Sequence, residues 1–240
     1  MKPFFSSHNL KAGYGSGDIL KGISFDLEKG KVMTVIGPNG SGKSTLIKTL
    51  AGLLKPSSGD IFIDESSIVG YTSPQRIKLG MSYVPQEYNV FRNMTVKENL
   101  QLANEFMRSA KKKKTQIIDD DLLDLFPELT SKFDSLAGNL SGGQRQMVAF
   151  ACALAYKPEI LLLDEPSAGL SPKYMGDIFE AVKKVNELGV TVFMVEQNAI
   201  EALQISDKCI VMANGNVKYI SDAKILMQSG DLHSLYLGDA

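Results

Sequence analysis

Gly37-Pro38-Asn39-Gly40-Ser41-Gly42-Lys43-Ser44-Thr45 lies between the aliphatic run Val32 to Ile36 and the helical pattern Leu46 to Leu50. No other stretch of the 240 residues restricts the fold as much. It matches G-x-x-x-x-G-K-[ST], a loop that works only where a strand delivers it and a helix leaves it. The glycines let successive backbone N–H groups curl around phosphate oxygens, and the helix N-terminus adds its partial positive charge. In that geometry Lys43 reaches the β- and γ-phosphates of a nucleotide, and the Ser44 hydroxyl can ligate Mg²⁺. The setting predicts an α/β fold with a parallel sheet.

Two further stretches carry chemistry. Ile160-Leu161-Leu162-Leu163-Asp164-Glu165 is an apolar run ending in two carboxylates, as expected where a buried parallel strand emerges at the carboxyl edge of a sheet. Asp164 is then placed to hold Mg²⁺, through water, and Glu165 to polarise an attacking water. Leu140-Ser141-Gly142-Gly143-Gln144 introduces a helix running to about Tyr156, with Ser141 as N-cap and open amides at Gly142 and Gly143. That is a second anion-binding helix terminus.

Short aliphatic or β-branched runs recur at Ile61 to Ile63, Met81 to Val84, Val190 to Val195 and Cys209 to Met212, several of them separated by helical-length segments. That is the pattern of a parallel sheet with crossover helices. Ile23 to Leu27 and Val32 to Ile36, joined by Glu28-Lys29-Gly30-Lys31, are expected to form a hairpin, and an antiparallel sheet should flank the parallel one. From about residue 93 to 155 the strand signal vanishes. There Thr95-Val96-Lys97-Glu98 is a capping box opening a helix through Phe106, and a helical subdomain is expected. Lys111 to Lys114 and Asp119 to Asp121 read as a solvated face, and Asn214-Gly215 as the turn of a terminal hairpin.

Composition narrows the function classes. Lys and Arg number 26 against 27 Asp and Glu, a net charge of -1, so no basic field draws the chain to nucleic acid or anionic lipid. Cys152 and Cys209 lie far apart and outside any CxxC spacing, which argues against a disulfide framework or zinc site and fits a reducing compartment. The apolar runs fall far short of the roughly 20 residues of a membrane-crossing helix. Residues 1 to 8 lack the apolar core of a secretory signal. The chain is expected to stay in the cytoplasm, as one domain over residues 1–240.

The phosphate loop, Leu140 to Gln144 and Ile160 to Glu165, in that order, resemble the ATP-binding cassette (ABC) ATPases, and the resemblance covers essentially the whole chain. It implies a P-loop NTPase of ABC type: a mixed, mainly parallel sheet core, an antiparallel β subdomain and an inserted α-helical subdomain. By this resemblance Leu140, Ser141, Gly142, Gly143 and Gln144 are the family signature. Tyr14 matches the aromatic residue that stacks on adenine. Gln86 matches the glutamine that touches Mg²⁺ and links to the transport partner, and its region, with Phe91 and Met94, is the expected bridge to a permease. Ser167 to Ser171 is similar to the D-loop, although Ser171 stands where many members place Asp. The phosphate loop of one subunit is expected to face the signature of another, with ATP between them, so the working unit is a homodimer or heterodimer.

One departure stands out. Val195-Glu196-Gln197-Asn198 places Gln197 where most members have a switch histidine, and the only histidines are His8 and His233. An amide can hydrogen-bond a γ-phosphate but cannot carry imidazole's charge. The Val-Glu-Gln-Asn variant, Ser171-Pro172 and Tyr236-Leu237-Gly238 resemble the shorter ATP-binding subunit of branched-chain amino-acid importers. The implied function is ATP hydrolysis that powers solute import through separate membrane permeases, with a solute-binding protein engaged indirectly, at the cytoplasmic face of the membrane and without nucleic acid. An exporter or lipopolysaccharide-transport ATPase, or a soluble ABC ATPase acting on DNA or the ribosome, is the alternative.

Overall fold

The strands that carry the predicted chemistry are buried along their whole length, which requires cover on both faces of their sheet. The computed structural model describes residues 2–15, 17–87, 89–111 and 125–229. His233, Tyr236 to Gly238 and the expected charge runs beyond Lys111 lie outside the described residues. Six strands form the main sheet: β3 (Val32–Ile36), β6 (Met81–Val84), β7 (Ile160–Asp164), β8 (Thr191–Val195), β9 (Lys208–Ala213) and β10 (Asn216–Asp222). Their order is β10-β9-β3-β8-β7-β6. All neighbours are parallel except the β9–β10 hairpin. The hairpin turns at Asn214 and Gly215, with φ of 50° and 78°, the left-handed pair that a tight two-residue turn needs.

Alternation along β7 and β8 splits the core in two. Leu161, Leu163, Val192 and Met194 face one side, where they pack with α5 (Gly142–Leu154) and α6 (Pro172–Glu187). Leu162, Phe193 and Val195 face the other, against α1 (Lys43–Leu50) and an antiparallel sheet. That second sheet has the order β2-β1-β4-β5 and consists of β1 (Phe5–Ala12), β2 (Leu20–Leu27), β4 (Ser58–Ile63) and β5 (Ser66–Ser67). Phe25 of β2 packs on Phe193 of β8 with ring centroids 4.9 Å apart, and Phe5 meets both rings edge-on, so aromatic contacts join the two sheets.

The expected hairpin across Glu28 to Lys31 does not form. The turn exists, but it passes the chain from one sheet to the other, and β2 pairs with β1 instead. The reason lies in burial: Ile23, Phe25 and Leu27 alternate with exposed Ser24 and Asp26, whereas β3 is buried at every position. A one-sided strand and a two-sided strand cannot share the same layer. Asp207 fixes the start of β3, its carboxylate accepting Val32 N–H and the Lys31 ammonium, both at 2.9 Å.

Between β6 and β7 the described residues hold no named strand. They form α3 (Val96–Lys111), α4 (Pro127–Thr130), a 3₁₀ turn at Ala137–Asn139 and α5. The Thr95 capping box is present, with Glu98 N–H donating to Thr95 Oγ1 at 3.1 Å and Thr95 N–H to Glu98 Oε2 at 2.7 Å. The helix runs five residues past the predicted Phe106.

Because β3, β6, β7 and β8 are parallel, their carboxyl ends share one edge of the sheet. Val35 pairs with Val195, Asp164 with Val195, and Val84 with Leu163. This register delivers the phosphate loop, Gln86, Asp164–Glu165 and Glu196–Gln197 to the same place.

Candidate active site

The loop leaving β3 owes its path to glycine. At Gly37 an added Cβ would lie 2.2 Å from Met212 O, a contact that forbids any side chain. Gly42, with φ 101°, caps α1 in a left-handed conformation that favours glycine. Lys43 is 4% exposed, and its ammonium lies back across the loop, donating to Gly37 O at 2.7 Å and Pro38 O at 3.3 Å. Burial pushes its pKa down, opposed by the charges of Glu165, Asp164 and Glu196. Pro38, Ser44 and Gly42 are half-buried, Asn39 and Gly40 exposed, and Thr45 buried. Ser41 Oγ is buried with no protein partner.

Asp164 ends β7, 3% exposed. Its Oδ2 accepts the Tyr83 hydroxyl at 3.0 Å, while Oδ1 is buried without a protein partner. Desolvation raises the Asp164 pKa, and the Tyr83 bond and the charges of Lys48 and Lys43 oppose it. Glu165 follows at φ 47°, a left-handed conformation that a non-glycine residue keeps only where its surroundings hold it. Its Oε2 accepts two amides, Gln86 Nε2 at 3.1 Å and Gln197 Nε2 at 3.0 Å. Gln86 and Gln197, both singled out by sequence, therefore converge on one carboxylate oxygen of Glu165. Tyr14 lies in the exposed turn after β1, and burial, followed by the Asp164 carboxylate, disfavours loss of the Tyr83 phenol proton.

Lys43 is the one loop cation held among Asp164, Glu165 and Glu196, an excess of negative charge suited to a polyphosphate that brings a divalent cation. Ser44, Asp164 and Gln86 offer a hydroxyl, a carboxylate and an amide, the hard oxygen donors that Mg²⁺ takes, and the unpartnered Asp164 Oδ1 fits that role.

The N-terminus of α5 is separate. Ser141 caps it, accepting Gln144 N–H at 3.2 Å while Gln144 Oε1 accepts Ser141 N–H at 3.1 Å, and Arg145 donates to Leu140 O. Gly142 has open space where a Cβ would stand, whereas at Gly143 a Cβ would meet the Tyr174 ring at 2.4 Å. The absence of a side chain at Gly143 thus gives α6 room to pack. Among the described residues no hydrogen bond or ion pair joins Leu140–Gln144 to Gly37–Thr45.

Beside the active edge, Pro85, Asn89, Phe91, Asn99, Ala149 and Cys152 are among the residues lining a groove of ≈ 290 Å³ between the Gln86 segment and α3 and α5. Phe91 is 58% exposed; Met94 is half-buried. Asn89 Nδ2 donates to Gln146 Oε1, tying this segment to α5.

Sequence reasoning missed Tyr83 and the role of Glu196. Tyr83 stands three residues before Gln86 on β6, and its reach toward Asp164 follows from the parallel pairing of β6 with β7, which the sequence pattern does not show. Glu196 is 0% exposed, and only the tertiary structure reveals its partners.

Parallel strands that deliver their side chains to one edge, over a glycine loop shaped for phosphate, define the phosphate-loop class of nucleotide-binding α/β proteins. The sequence model of the ABC transporter family matches residues 20–168. The chain is 41% identical to the probable branched-chain amino acid transport ATP-binding protein LivF of Archaeoglobus fulgidus, covering 95% of this chain and 96% of that protein. It is 39% identical to the high-affinity branched-chain amino acid transport ATP-binding protein BraG of Pseudomonas aeruginosa, over 94% and 95%. The lipopolysaccharide export ATP-binding protein LptB of Haemophilus influenzae is 30% identical over 98% and 97%. Among solved structures, the ADP conformation of the cassette MJ1267 superposes with a TM-score of 0.83 at 28% identity, over 99% and 100% of the two chains. A dimeric post-hydrolysis cassette, MJ0796 bound to ADP and Pi, gives 0.80 at 26%, over 91% and 98%. The chain belongs to the ABC transporter family, as an ATP-binding subunit that hydrolyses ATP.

Proposed function

We propose that this chain drives import of a branched-chain amino acid through separate membrane permeases, working in pairs at the cytoplasmic face of the membrane. Full-length similarity to LivF and BraG supports the substrate, and the convergence of Gln86 and Gln197 on Glu165 carries the catalytic reading. The loop amides of residues 37–45 and the Lys43 ammonium bind the phosphates, and Tyr14 stacks on the adenine. Ser44 and Asp164, with Gln86, hold Mg²⁺, which when bound neutralises charge on the β- and γ-phosphates.

Glu165 accepts a proton from water as the water oxygen bonds to the γ-phosphorus. The bond to the bridging oxygen breaks, and its electron pair leaves with ADP. Gln86 and Gln197 hold the carboxylate for this step, and the Gln197 amide registers the γ-phosphate without a titrating group. Leu140 to Gln144 of one subunit close on the nucleotide of the other, with the Gly142 and Gly143 amides turned to its γ-phosphate. The groove beside Gln86 receives a permease segment.

The test is reconstitution with candidate permeases and a solute-binding protein in vesicles. ATP hydrolysis stimulated by leucine, isoleucine or valine supports the assignment. Stimulation by lipopolysaccharide instead would transfer it to the export reading, which the similarity to LptB along nearly the full chain keeps in view.

A further inference from the structure

Of the three carboxylates around Lys43, Glu196 is the most deeply buried, and its acceptors are fully engaged. Its Oε1 accepts Ser167 N–H at 2.9 Å. Its Oε2 accepts Ser167 Oγ–H at 2.9 Å and Gln197 N–H at 3.0 Å, with Asn198 N–H at 3.4 Å. Asn198 Nδ2 closes the group by donating to Ser167 Oγ at 2.6 Å. The two bonds from Ser167 to Glu196 and the bond from Asn198 Nδ2 to Ser167 Oγ span the two segments that leave β7 and β8, while those from the Gln197 and Asn198 N–H groups are local.

These bonds complete a circuit. Ser167 lies two residues beyond Glu165, whose left-handed backbone needs its surroundings to hold it. Gln197 follows Glu196 directly, and its side chain returns to Glu165 Oε2 at 3.0 Å. The path runs from the Glu165 carboxylate through the Gln197 side chain and main chain to Glu196, then to Ser167 and back along the chain. Donors meet the carboxylate on both oxygens, so only an acceptor on each side satisfies them. A glutamine there could keep its oxygen where Oε2 is, but it would turn an NH₂ toward Ser167 N–H.

We propose that Glu196 is a positioning residue that fixes Glu165 and Gln197 relative to one another, so that the hydrolysis step depends on it and nucleotide binding does not. The inference rests on the reading of Glu165 and Gln197 given under Proposed function. It adds a determinant of that reaction in the segment where the switch histidine is replaced.

A double-mutant cycle on the full-length chain tests it, with single-turnover hydrolysis at saturating Mg-ATP and the affinity for a fluorescent ATP analogue measured side by side. Glu196→Gln is expected to slow hydrolysis by about 10- to 100-fold while affinity stays within about threefold. In a Gln197→Ala background the same change should cost less than about threefold more, because the path it acts through is already broken. Ser167→Ala, which removes one hydroxyl, should give a smaller loss of about 3- to 10-fold with the same non-additivity, and it carries the test should Glu196→Gln not fold. Multiplying losses, or a fall in affinity that tracks the fall in rate, would overturn the proposal in favour of a packing role. Glu165→Gln separates the two levels. If it leaves the rate unchanged, the catalytic reading itself fails; if it stops hydrolysis while Glu196→Gln and Ser167→Ala do not, this inference alone fails.

Discussion

Tyr83→Phe removes one atom from the site and leaves the ring in place. The lost bond, 3.0 Å from Tyr83 Oη to Asp164 Oδ2, is among the described residues the only protein hydrogen bond to a carboxylate that is 3% exposed and whose Oδ1 already lacks a partner. A hydrogen bond to a charged group contributes about 1.5–3 kcal/mol, and stranding a buried acceptor costs about the same. The half-buried phenol can be partly replaced by water, so the loss of folding stability should be about 1–2 kcal/mol, or roughly 3–6 °C in Tm for a chain of this size. The direction with pH is fixed. Burial raises the Asp164 pKa and the Tyr83 bond opposes that rise, so the variant's folded-state pKa is higher still. A carboxyl group with a raised folded pKa is a cost at pH above that pKa, and the cost disappears below the unfolded value. The gap between variant and wild type should therefore be widest near pH 7 and shrink on acidification. Urea denaturation of Tyr83→Phe, Asp164→Asn and the double variant measures it, with a coupling of about 1 kcal/mol or more expected. Additive losses, or a gap that widens toward acid pH, would mean that the Tyr83 hydroxyl does not stabilise the Asp164 carboxylate.

Gly143→Ala should destabilise the chain by about 1–3 kcal/mol, since its Cβ would stand 2.4 Å from the Tyr174 ring, whereas Gly142→Ala, in open space, should leave the melting temperature within about 2 °C of wild type. Equal melting shifts for the two would show that the packing of α5 on α6 has been misread. Arg76 is 2% exposed and donates to the carbonyls of Thr49, Leu50, Ile68 and Tyr71, so Arg76→Ala leaves the C-terminus of α1 without its cap and should cost about 3–5 kcal/mol in chemical denaturation. Burial pushes the Cys209 thiol up to about 12, so iodoacetamide at pH 8 should label it only once the chain is unfolded; rapid labelling of native protein would contradict its 0% exposure.

Most of the site was legible because its chemistry is written in short, contiguous motifs. The phosphate loop, Asp164–Glu165 and the Ser141 cap each declare both a local conformation and a set of donors, and the parallel register brings the strand-end motifs to one edge. Pairing between strands was less legible. The Glu28–Lys31 turn looks like a hairpin turn, and only the contrast between one-sided β2 and two-sided β3 sends the strands to different sheets. β1 escaped notice because Ser6, Ser7, His8 and Asn9 interrupt its apolar pattern, yet it is the strand that pairs with both β2 and β4. Spacing does not show that Gly143 also makes room for the Tyr174 ring. Glu196 was seen only as part of a variant motif, since its partner Ser167 lies 29 residues away in sequence.

The role proposed for the Glu165 carboxylate, held by two glutamine amides, is to drive ATP cleavage. Single-turnover hydrolysis of γ-labelled ATP by Glu165→Gln, beside wild type and Lys43→Ala, tests it most directly. Glu165→Gln is expected to bind ATP within about threefold of wild type but to hydrolyse it at least about 100-fold more slowly, while Lys43→Ala fails already at binding. Cleavage by Glu165→Gln at the wild-type rate, with ATP bound and the fold intact, would contradict it.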